Sequence, residues 1–583
     1  MNTGDLLTEL LLAYGTDVVF GVPGGQIVAL IDAIHRRQPR IRHVTMRDER
    51  STAFAADAYA RLTHRVGVCA VTVGPGTVKL PSGLMESYNA SVPILAIVGD
   101  INRDWYPLIE RGAATQATDQ EELLRPLTKR VARLNTPAQL PEVLGTLLRA
   151  ATSGRPGPVA LIIPHDVFDE RFAAESIPLR IQPEWGRFPS SACAPAESAV
   201  EVAAQRLVAA ERPVMIAGGG ALLARAGEEV RELVELLTMP VVTTFTGRGV
   251  LEDDHPLSLG LLGNIGTRCA RAAVEAADVV LLVGFKSAQN STFGWRLPRP
   301  DQTVIHLDID PEEIGKVFAT EIGLVGDARL GLAALAGAVR EDLRGRAPAR
   351  SDARERIAAW KRQWEAEVAP RLASREVPLL PQRIMAELRA RARWDDLVVC
   401  DASYATGWGA LYWPQQRPGR ALLAPRGSAG LGYSLPAAIG AAVAGPERRV
   451  FVLAGDGGFA YSLGEMATLT LYGLAVKCVV FNNRSLAWID HWHRIYFGAN
   501  GEPFRWNDVD FAAIARGFGL FGRRVAQPEE IGPALDAALA AEGSAVVECI
   551  CSGEETPIAA YEEALIRGHR VTYGGAEAEQ EAA

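Results

Sequence analysis

Short apolar runs alternate with helical segments along the whole chain, and this alternation most constrains the fold. Each run is mostly Val, Ile or Leu and too short for a buried helix. Strands that are apolar on both faces are typical of parallel sheets covered by helices on either side. We therefore predict an α/β protein built from doubly wound parallel sheets. The predicted strands are residues 68–73, 94–98, 159–163, 214–217, 279–283, 304–307, 397–400, 450–453, 478–481 and 545–550.

Two changes in composition divide the chain into three predicted domains. Residues 170–197 lose periodicity and hold four prolines, whereas residues 340–378 are charged and helical. Three domains agree with the length of 583 residues. The predicted domains are residues 1–175, 190–340 and 376–555, followed by a C-terminal tail, 556–583, whose Gly-, Ala- and Glu-rich end is expected to fray.

Charge and hydropathy restrict the classes of partner. Sixty basic and 69 acidic residues give a formal net charge of −9, which gives no support to a general nucleic-acid or membrane-surface role. No apolar run approaches the roughly 20 residues that a membrane-spanning helix needs. Asp5 and Glu9 lie where a signal peptide would be basic and then apolar. We therefore predict a cytoplasmic protein without a nucleic-acid or membrane partner.

The strongest motif lies at residues 450–483, where Gly455, Asp456, Gly457 and Gly458 follow one strand and Asn483 follows the next. In a βαβ unit, side chains placed in this way meet at the carboxyl ends of parallel strands, where α/β proteins bind ligands. Carboxylate and amide oxygens suit Mg²⁺, which usually completes its shell with phosphate and water. The glycines let backbone N–H groups approach a phosphate, and the following helix N-terminus favours an anion.

This combination resembles the thiamine-diphosphate motif of the acetolactate synthase and pyruvate oxidase superfamily. The resemblance extends from residue 1 to about 555, with the motifs in the family's order, and residues 241–267 and 304–316 match the central domain of acetolactate synthases. It implies three α/β domains that bind the pyrimidine, a central ligand and the diphosphate. It also implies thiamine diphosphate and Mg²⁺ as cofactors, with the metal held by Asp456, Asn483 and the backbone carbonyl of Ser485.

The same resemblance places a catalytic glutamate at Glu49, within DERSTAFAADAYAR at residues 48–61. In the family this glutamate hydrogen-bonds N1′ of the cofactor's aminopyrimidine and comes from a second subunit. Taken alone, Glu49 could also be an acidic residue stabilised at a helix N-terminus.

Two turns of the N-terminal domain, FGVPGG at residues 20–25 and VGPG at 73–76, resemble the family's turns beside the pyrimidine and the reacting carbon. Gln116 matches the family's active-site glutamine, although Thr115 replaces the phenylalanine before it, and a surface-loop glutamine is the alternative. The implied contacts are Pro23, Gly24, Val73 and Pro75 for the cofactor and Gly25 and Gln116 for catalysis.

The third domain contains RGSAGLGYSLPAAIGAA at residues 426–442, which resembles the segment that holds the pyrimidine. Leu431 matches the apolar residue beneath the folded cofactor, and Ala429 would offer its carbonyl to the 4′-amine; core packing is the alternative for Leu431. The DASY turn at residues 401–404 lacks some of the family's polar side chains, which leaves Ser403 and Tyr404 as candidate diphosphate contacts.

The central domain departs from the acetolactate synthase pattern. These enzymes bind FAD there, but the family's Met-His is missing from the turn at residues 262–267, and its Asp-Asp-Arg run reads Ala288, Gln289 and Asn290. Three glycines at residues 218–220 follow a strand and fit either a nucleotide-binding turn or a bare turn. FAD, another nucleotide and no ligand all stay open.

The residues after the metal motif also depart from the family. Trp492 matches a pocket tryptophan, whereas Trp488, Asp490 and His491 replace Met, Met and Gln. These changes make the predicted pocket bulkier and more polar, so we expect a donor or acceptor other than two pyruvates. Asp490 and His491 are candidates for proton transfer, and an exposed pair on a helix is the alternative.

The resemblance implies decarboxylation of a 2-oxo acid with C–C bond formation to a carbonyl acceptor. Because Glu49 and the diphosphate site belong to different subunits in the family, a homodimer or homotetramer with interfacial sites is implied. A 2-hydroxyacyl-CoA lyase or a pyruvate oxidase type is the alternative reaction. A non-catalytic relative that binds the cofactor structurally is a further alternative, against which the retention of Glu49, Asp456 and Asn483 speaks.

Overall fold

The computed structural model describes residues 1–179, 181–346, 350, 352–498, 501–559 and 561. These residues form two compact units. The first unit contains Met1–Ser191, Pro425–Arg448 and Tyr461–Val476, and the second contains Ala192–Ala424, Arg449–Ala460 and the described residues from Lys477 onward. The three domain boundaries drawn from composition stay predictions, and the expected fraying of the tail falls outside the described residues.

The N-terminal residues form a six-stranded parallel sheet of β1 (Val18–Gly21), β2 (Arg42–Thr45), β3 (Gly67–Val71), β4 (Ile94–Asp100), β5 (Arg130–Arg133) and β6 (Val159–Pro164). Its strand order is β2-β1-β3-β4-β6-β5. The helices around it are α1 (Thr3–Ala13), α2 (Val28–His35), α3 (Glu49–Thr63), α4 (Pro75–Lys79), α5 (Pro81–Ala90), α6 (Gln120–Leu124), α7 (Leu140–Thr152) and α8 (His165–Asp169). Val19, Ile97 and Leu161 have no exposed surface in the core between sheet and helices.

The central sheet contains β7 (Pro213–Ala217), β8 (Val241–Thr243), β9 (Ser258–Leu261), β10 (Val279–Val283), β11 (Thr303–Asp308) and β12 (Ile322–Val325) in the order β12-β11-β10-β7-β8-β9. Its helices are α9 (Glu197–Ala209), α10 (Gly219–Leu223), α11 (Gly227–Leu237), α12 (Arg268–Ala276) and α13 (Ala328–Leu343). Helix α14 (Ala353–Leu372) follows and lies within the segment predicted as a charged linker helix.

The C-terminal sheet contains β13 (Leu397–Cys400), β14 (Leu422–Leu423), β15 (Val450–Gly455), β16 (Val476–Asn482), β17 (Phe521–Val525) and β18 (Ala545–Ile550). Its order, β14-β13-β15-β16-β18-β17, repeats that of the first sheet. The helices in this part of the chain are α15 (Pro381–Arg389), α16 (Tyr404–Tyr412), α17 (Ser434–Ala444), α18 (Asp456–Ala460), α19 (Met466–Leu471), α20 (Ala487–Phe497), α21 (Phe511–Gly517) and α22 (Pro528–Ala540). Helices α17 and α19 belong to the first compact unit.

The predicted fold class is confirmed, since all three sheets are parallel and flanked by helices. Each of the ten predicted strands is present, with bounds shifted by at most two residues. Edge strands such as β5 and β17 escaped prediction because arginines interrupt their apolar residues, as is usual at sheet edges.

The topology places ligand sites at the carboxyl ends of particular strands. In the first sheet β1 and β3 are neighbours, and in the C-terminal sheet β13 and β15 are, although another strand separates each pair in sequence. The chain therefore leaves neighbouring strands in opposite directions, which opens a crevice at their carboxyl ends. In the described part of the chain, no helix is both long and apolar enough to cross a membrane.

Candidate active site

Glu49 opens α3 directly after the N-cap residue Asp48 and is buried. Its Oε2 accepts a hydrogen bond from Lys79 Nζ at 3.0 Å. Its Oε1 faces the turn after β3, because a Cβ built on Gly76 would lie 3.6 Å from that oxygen. The structure thus brings the predicted glutamate and the turn containing Val73 and Pro75 together within the first unit.

The turn after β1 contains Pro23, Gly24 and Gly25. A Cβ on Gly24 would lie 2.4 Å from Thr72 Cβ, so the backbone passes too close to β3's end for a larger residue. A Cβ on Gly25 would meet nothing within 4 Å, so this glycine borders open space. Of the two glycines, only Gly25 thus has room beside its backbone for a ligand.

Gln116 is exposed and has a positive φ of 65°. Its backbone, rather than its amide side chain, packs on the second turn, since a Cβ on Gly74 would lie 2.1 Å from Gln116 O. The glutamine that holds this turn is Gln120, which the sequence did not single out. Gln120 is fully buried, and its Oε1 accepts hydrogen bonds from Gly74 N at 3.2 Å and from the Thr77 hydroxyl.

Ala429 and Leu431 lie in the loop before α17, in the same compact unit as Glu49. Ala429 is exposed and has a φ of 55°, a left-handed conformation that non-glycine residues seldom adopt. Leu431 is half-buried. The exposed Ala429 and the half-buried Leu431 therefore leave this side of the loop open to a ligand.

Asp456 begins α18 at the end of β15 and is only 2% exposed. Its Oδ1 accepts a hydrogen bond from Gly457 N at 2.8 Å, and its Oδ2 accepts one from Trp506 Nε1 at 3.2 Å. Burial raises the pKa of Asp456 to about 6, which backbone N–H groups of Gly457, Arg484 and Ser485 partly offset.

Asn483 follows β16, the strand beside β15, as predicted from the motif. Its Oδ1 accepts a hydrogen bond from Ser485 N at 3.1 Å, and Arg484 between them has a φ of 58°. The backbone N–H groups of Arg484 and Ser485 in this turn also lie near enough to Asp456 to lower the pKa of its carboxyl. Asp456, Asn483 and Ser485 are therefore brought together at one edge of the C-terminal sheet.

The glycines of the motif serve different purposes. A Cβ on Gly458 would lie 2.4 Å from Asp401 Oδ1, and one on Gly457 would lie 2.5 Å from the Trp506 ring, whereas one on Gly455 would meet nothing within 4 Å. Trp506 therefore covers part of the turn, and no motif pointed to it. Trp506 is held there by a backbone hydrogen bond of 3.0 Å from Trp506 N to Arg484 O. Because this bond joins two separate turns, only the tertiary structure could identify Trp506 as part of the site.

Ser403 and Tyr404 lie at the carboxyl end of β13, beside the β15 turn. Ser403 has a φ of 68° and precedes the first residue of α16. Tyr404 is buried, and its hydroxyl lies 2.7 Å from His491 Nδ1. Because this bond engages the hydroxyl and burial raises the pKa of Tyr404, Ser403 is the better placed of the two for a diphosphate.

His491 is fully buried on α20, and both of its ring nitrogens are engaged. Its Nε2 lies 2.8 Å from the carbonyl of Gly553 and donates to it, so Nδ1 is the acceptor for Tyr404. Burial lowers the pKa of His491, which favours this neutral form. The alternative interpretation, an exposed pair on a helix, is wrong, since Asp490 and His491 are both buried.

Asp490 lies beside the turn of Asn483 and Ser485. Its Oδ2 accepts hydrogen bonds from Ser485 Oγ at 3.3 Å and from Arg505 Nε at 3.5 Å, and its Oδ1 has no partner among the described residues. Trp488 lies against Tyr404 with ring centroids 5.5 Å apart, and Trp492 Nε1 bonds the hydroxyl of Tyr561. The pocket segment therefore forms one aromatic and hydrogen-bonded cluster.

The donor set at the sheet edge fits Mg²⁺. Asp456 would supply a carboxylate, Asn483 an amide oxygen and Ser485 a backbone carbonyl, all hard oxygen ligands. The space beside Gly455 and the positive φ of Ser403 leave backbone accessible to a phosphate group. Among the described residues, no cluster of three His, Cys, Asp or Glu side chains could hold a metal ion.

The central glycines have a packing explanation. A Cβ on Gly218 would lie 2.1 Å from Gly284 O, and one on Gly220 would lie 2.7 Å from Gly284 Cα. The turn after β7 is therefore glycine-rich because it packs against the end of β10, and it gives no separate support to FAD or another nucleotide.

Three family models match the chain. Residues 1–123 match the thiamine pyrophosphate enzyme N-terminal TPP binding domain, residues 200–335 the central domain, and residues 401–549 the C-terminal TPP binding domain. The central match contains all six strands of the central sheet, whereas the N-terminal match ends before β5 and the C-terminal match begins just after β13.

Similar proteins include acetolactate synthase large subunits from several organisms. The chain is 31% identical over 549 residues to the probable acetolactate synthase large subunit of Methanococcus aeolicus, covering 92% of this chain and 90% of the relative. It is 34% identical over 545 residues to the large subunit from Parasynechococcus marenigrum, covering 91% and 85%. It is 31% identical over 544 residues to the isozyme 3 large subunit of Escherichia coli, covering 92% of each.

Proposed function

The chain belongs to the acetolactate synthase-like family of thiamine-diphosphate-dependent enzymes, and from that membership we infer Mg²⁺-dependent decarboxylation of a 2-oxo acid with C–C bond formation. The observation that carries the proposal is the meeting of Asp456 with the turn of Asn483 and Ser485 at the carboxyl ends of β15 and β16. Thiamine diphosphate, when bound, supplies an electron sink for the carbon that loses carbon dioxide.

The chain's own residues would bind and orient that cofactor. Asp456, Asn483 and the Ser485 carbonyl would hold Mg²⁺, and the metal with nearby backbone N–H groups would neutralise the diphosphate. This local compensation is needed because the protein as a whole carries a net charge of −9.

Three residues would act at the aminopyrimidine. Glu49 of one subunit would exchange a proton with N1′ of the cofactor held by the other subunit, as the family resemblance implies. The Ala429 carbonyl would accept from the 4′-amine, and Leu431 would support the rings from beneath. The two turns, with Gly25 and Gln116, would border the reacting carbon. Burial of Glu49 supports this role, because a proton relay works best where water does not compete for the proton.

The aromatic cluster supports a substrate other than two pyruvates. His491 links Tyr404 to Gly553, and Trp488 packs on the same tyrosine, so the residues that depart from the family pattern form a fixed wall. We propose that this wall selects a different donor or acceptor, and that Asp490, whose Oδ1 has no partner among the described residues, is a polar group beside it.

The test is purification with thiamine diphosphate and Mg²⁺, followed by a panel of 2-oxo acids read by carbon dioxide release and product mass. Release from at least one 2-oxo acid with a new C–C bond is expected. Normal acetolactate formation from pyruvate alone would refute the substrate proposal. Turnover of a 2-hydroxyacyl-CoA ester, or a flavin spectrum with peroxide formation, would favour the alternative reactions.

Glu49→Gln tests the proposed role of Glu49 in turnover. Since general acid–base groups contribute about 10²- to 10⁴-fold, turnover should fall by ~10²-fold or more. Glu142→Gln, at an exposed position on α7, should leave turnover unchanged. Undiminished activity of Glu49→Gln would contradict the proposed role.

A further inference from the structure

Glu86 lies on α5 with no exposed surface, and its carboxylate binds one loop. The N–H of Gly427 donates to both Oε1 and Oε2 at 2.9 Å. The N–H and the hydroxyl of Ser428 donate to Oε2 at 2.6 and 3.1 Å. Three donors of two consecutive residues therefore converge on a single carboxylate, all within the first compact unit.

The loop also packs directly on the backbone of α5. A Cβ on Gly427 would lie 2.2 Å from the Glu86 carbonyl oxygen and 3.1 Å from Ala90 N. Any larger residue at position 427 would push the loop away from the helix. Side-chain hydrogen bonds and backbone contact thus fix the same two residues.

Buried partners compensate the charge of this carboxylate. Arg61 Nη2 donates to Glu86 Oε1 at 3.0 Å, and the same guanidinium lies 2.7 Å from Asp57 Oδ1. Asp57 also accepts from the hydroxyls of Ser87 and Tyr433 at 2.9 and 3.0 Å. A buried carboxylate is costly unless paired and fully hydrogen-bonded, and here the loop N–H groups complete its hydrogen bonding.

Gly427 and Ser428, the two residues bound by Glu86, come directly before Ala429 in the chain. Ala429 has a φ of 55°, a strained conformation for a non-glycine residue that persists only where the surroundings impose it. Because Gly427 and Ser428 are fixed by Glu86, the chain enters Ala429 from a defined position.

We propose that Glu86 is a positioning residue for the aminopyrimidine end of the cofactor. By holding Gly427 and Ser428 it fixes the direction of the Ala429 carbonyl and the height of Leu431, although it touches neither cofactor nor substrate. The inference rests on the proposed function, in which these two residues meet the aminopyrimidine.

The test compares two dissociation constants in the full-length protein with Mg²⁺. Thiamine diphosphate is titrated directly by calorimetry, and inorganic pyrophosphate, which has no aminopyrimidine, is titrated as the second probe. In Glu86→Gln one oxygen becomes an NH₂ that faces a donor, so the constant for thiamine diphosphate should rise about tenfold or more. The constant for pyrophosphate should stay within about twofold, because the changed loop does not bind phosphate.

Two further variants make the result specific. Gly427→Ala displaces the loop without altering the carboxylate and should reproduce the split between the two constants. Ser87→Ala removes a hydrogen bond from the same buried network but none from the loop, so it should lower thermal stability without changing either constant. If Glu86→Gln does not fold, Gly427→Ala gives the decisive measurement.

The outcomes separate this inference from the proposed function. Unchanged thiamine diphosphate affinity in a folded Gly427→Ala or Glu86→Gln protein would overturn the role of Glu86, as would parallel weakening of both probes. Failure of the unaltered protein to bind thiamine diphosphate would instead overturn the proposed function.

Discussion

At the scale of single residues, Asp456 combines burial with hydrogen bonds from Gly457 N and Trp506 Nε1. Its carboxylate is 2% exposed and meets N–H groups from both its own turn and the Asn483 turn. A carboxylate with little solvent access and few competing partners is suited to a cation rather than to a surface ion pair.

Asp456→Asn tests this role. The substitution keeps the shape but removes the negative charge, so the affinity for Mg²⁺ should fall by about tenfold or more. The measurement is a Mg²⁺ titration of thiamine diphosphate binding. Asp536→Asn removes a carboxylate that is exposed and paired with Arg391, and it should bind Mg²⁺ as the unaltered protein does. An unchanged titration for Asp456→Asn would remove Asp456 from the metal site.

The titration of His306 is a second prediction at this scale. His306 lies in β11, is 1% exposed, and burial lowers its pKa from 6.5 to about 4. The unfolded chain therefore takes up a proton at a higher pH than the folded chain, and stability present above pH 6.5 is lost as the pH falls towards 4. For one group this amounts to about 2 kcal/mol between pH 7 and pH 5.

Melting temperatures at pH 7 and pH 5 check this expectation. The melting temperature of His306→Gln should fall less between pH 7 and pH 5 than that of the unaltered protein. Substitution of the exposed His35 should leave this fall in melting temperature unchanged. His43, whose pKa burial also lowers to about 4, contributes in the same direction and is kept in both variants. An equal loss in His306→Gln would show that this histidine is not a buried neutral group.

At the scale of elements, α3 and α17 approach each other closely within the first unit. A Cβ on Gly440 of α17 would lie 2.1 Å from Ala55 O of α3. Helices pack at short interaxial distance only where small residues face each other, and α3 is rich in alanine on its buried side. The packing fixes the helix that begins with Glu49 against the helix that follows Leu431.

Gly440→Ala should therefore destabilise the first unit. Overpacking of this kind costs ~1–3 kcal/mol, and the lowest unfolding transition should move to lower temperature. Gly337→Ala is the matched control, because a Cβ there meets nothing within 4 Å in α13 and helix propensity predicts a gain of ~0.5–1 kcal/mol. Equal melting curves for the two variants would contradict this account of the interface between α3 and α17.

At the scale of the whole molecule, we expect a homodimer or homotetramer with sites between subunits, and mixed dimers of two variants can test it. Co-expression of Glu49→Gln and Asp456→Asn chains gives mixed dimers if the protein is a homodimer or homotetramer. If Glu49 serves the partner's site, one site of each mixed dimer is intact, and activity should recover to about a quarter of the unaltered level. At a Mg²⁺ concentration that does not saturate Asp456→Asn, each variant alone should show much less activity than the mixture.

Light scattering of the same preparations supplies the control for assembly. A dimeric or tetrameric mass without recovered activity would place Glu49 and Asp456 of one site in the same chain. A monomeric mass would overturn the proposed assembly.

The sequence by itself determined the fold class, the positions of ten strands and the place of the Gly-Asp-Gly motif at the end of a strand. Continuous apolar runs report burial on both faces, and a Gly-Asp-Gly turn after one such run places Asp456 at a strand's carboxyl end whatever surrounds it. These are local properties, and ten predicted strands follow from them. The edge strands β5 and β17 were missed because arginines interrupt their apolar residues, and the buried strands β1 and β8 were missed because they are only four and three residues long.

Only the tertiary structure decided which side chains of the candidate site are free. His491 is engaged by Tyr404 and Gly553, Trp506 covers Gly457, and Glu86 binds a loop 341 residues away in sequence. Periodicity and spacing carry no information about such partners, because each bond depends on how separate elements pack. The sequence therefore indicated which segments form the candidate site, and long-range packing determined which of their side chains remain free to contact a ligand.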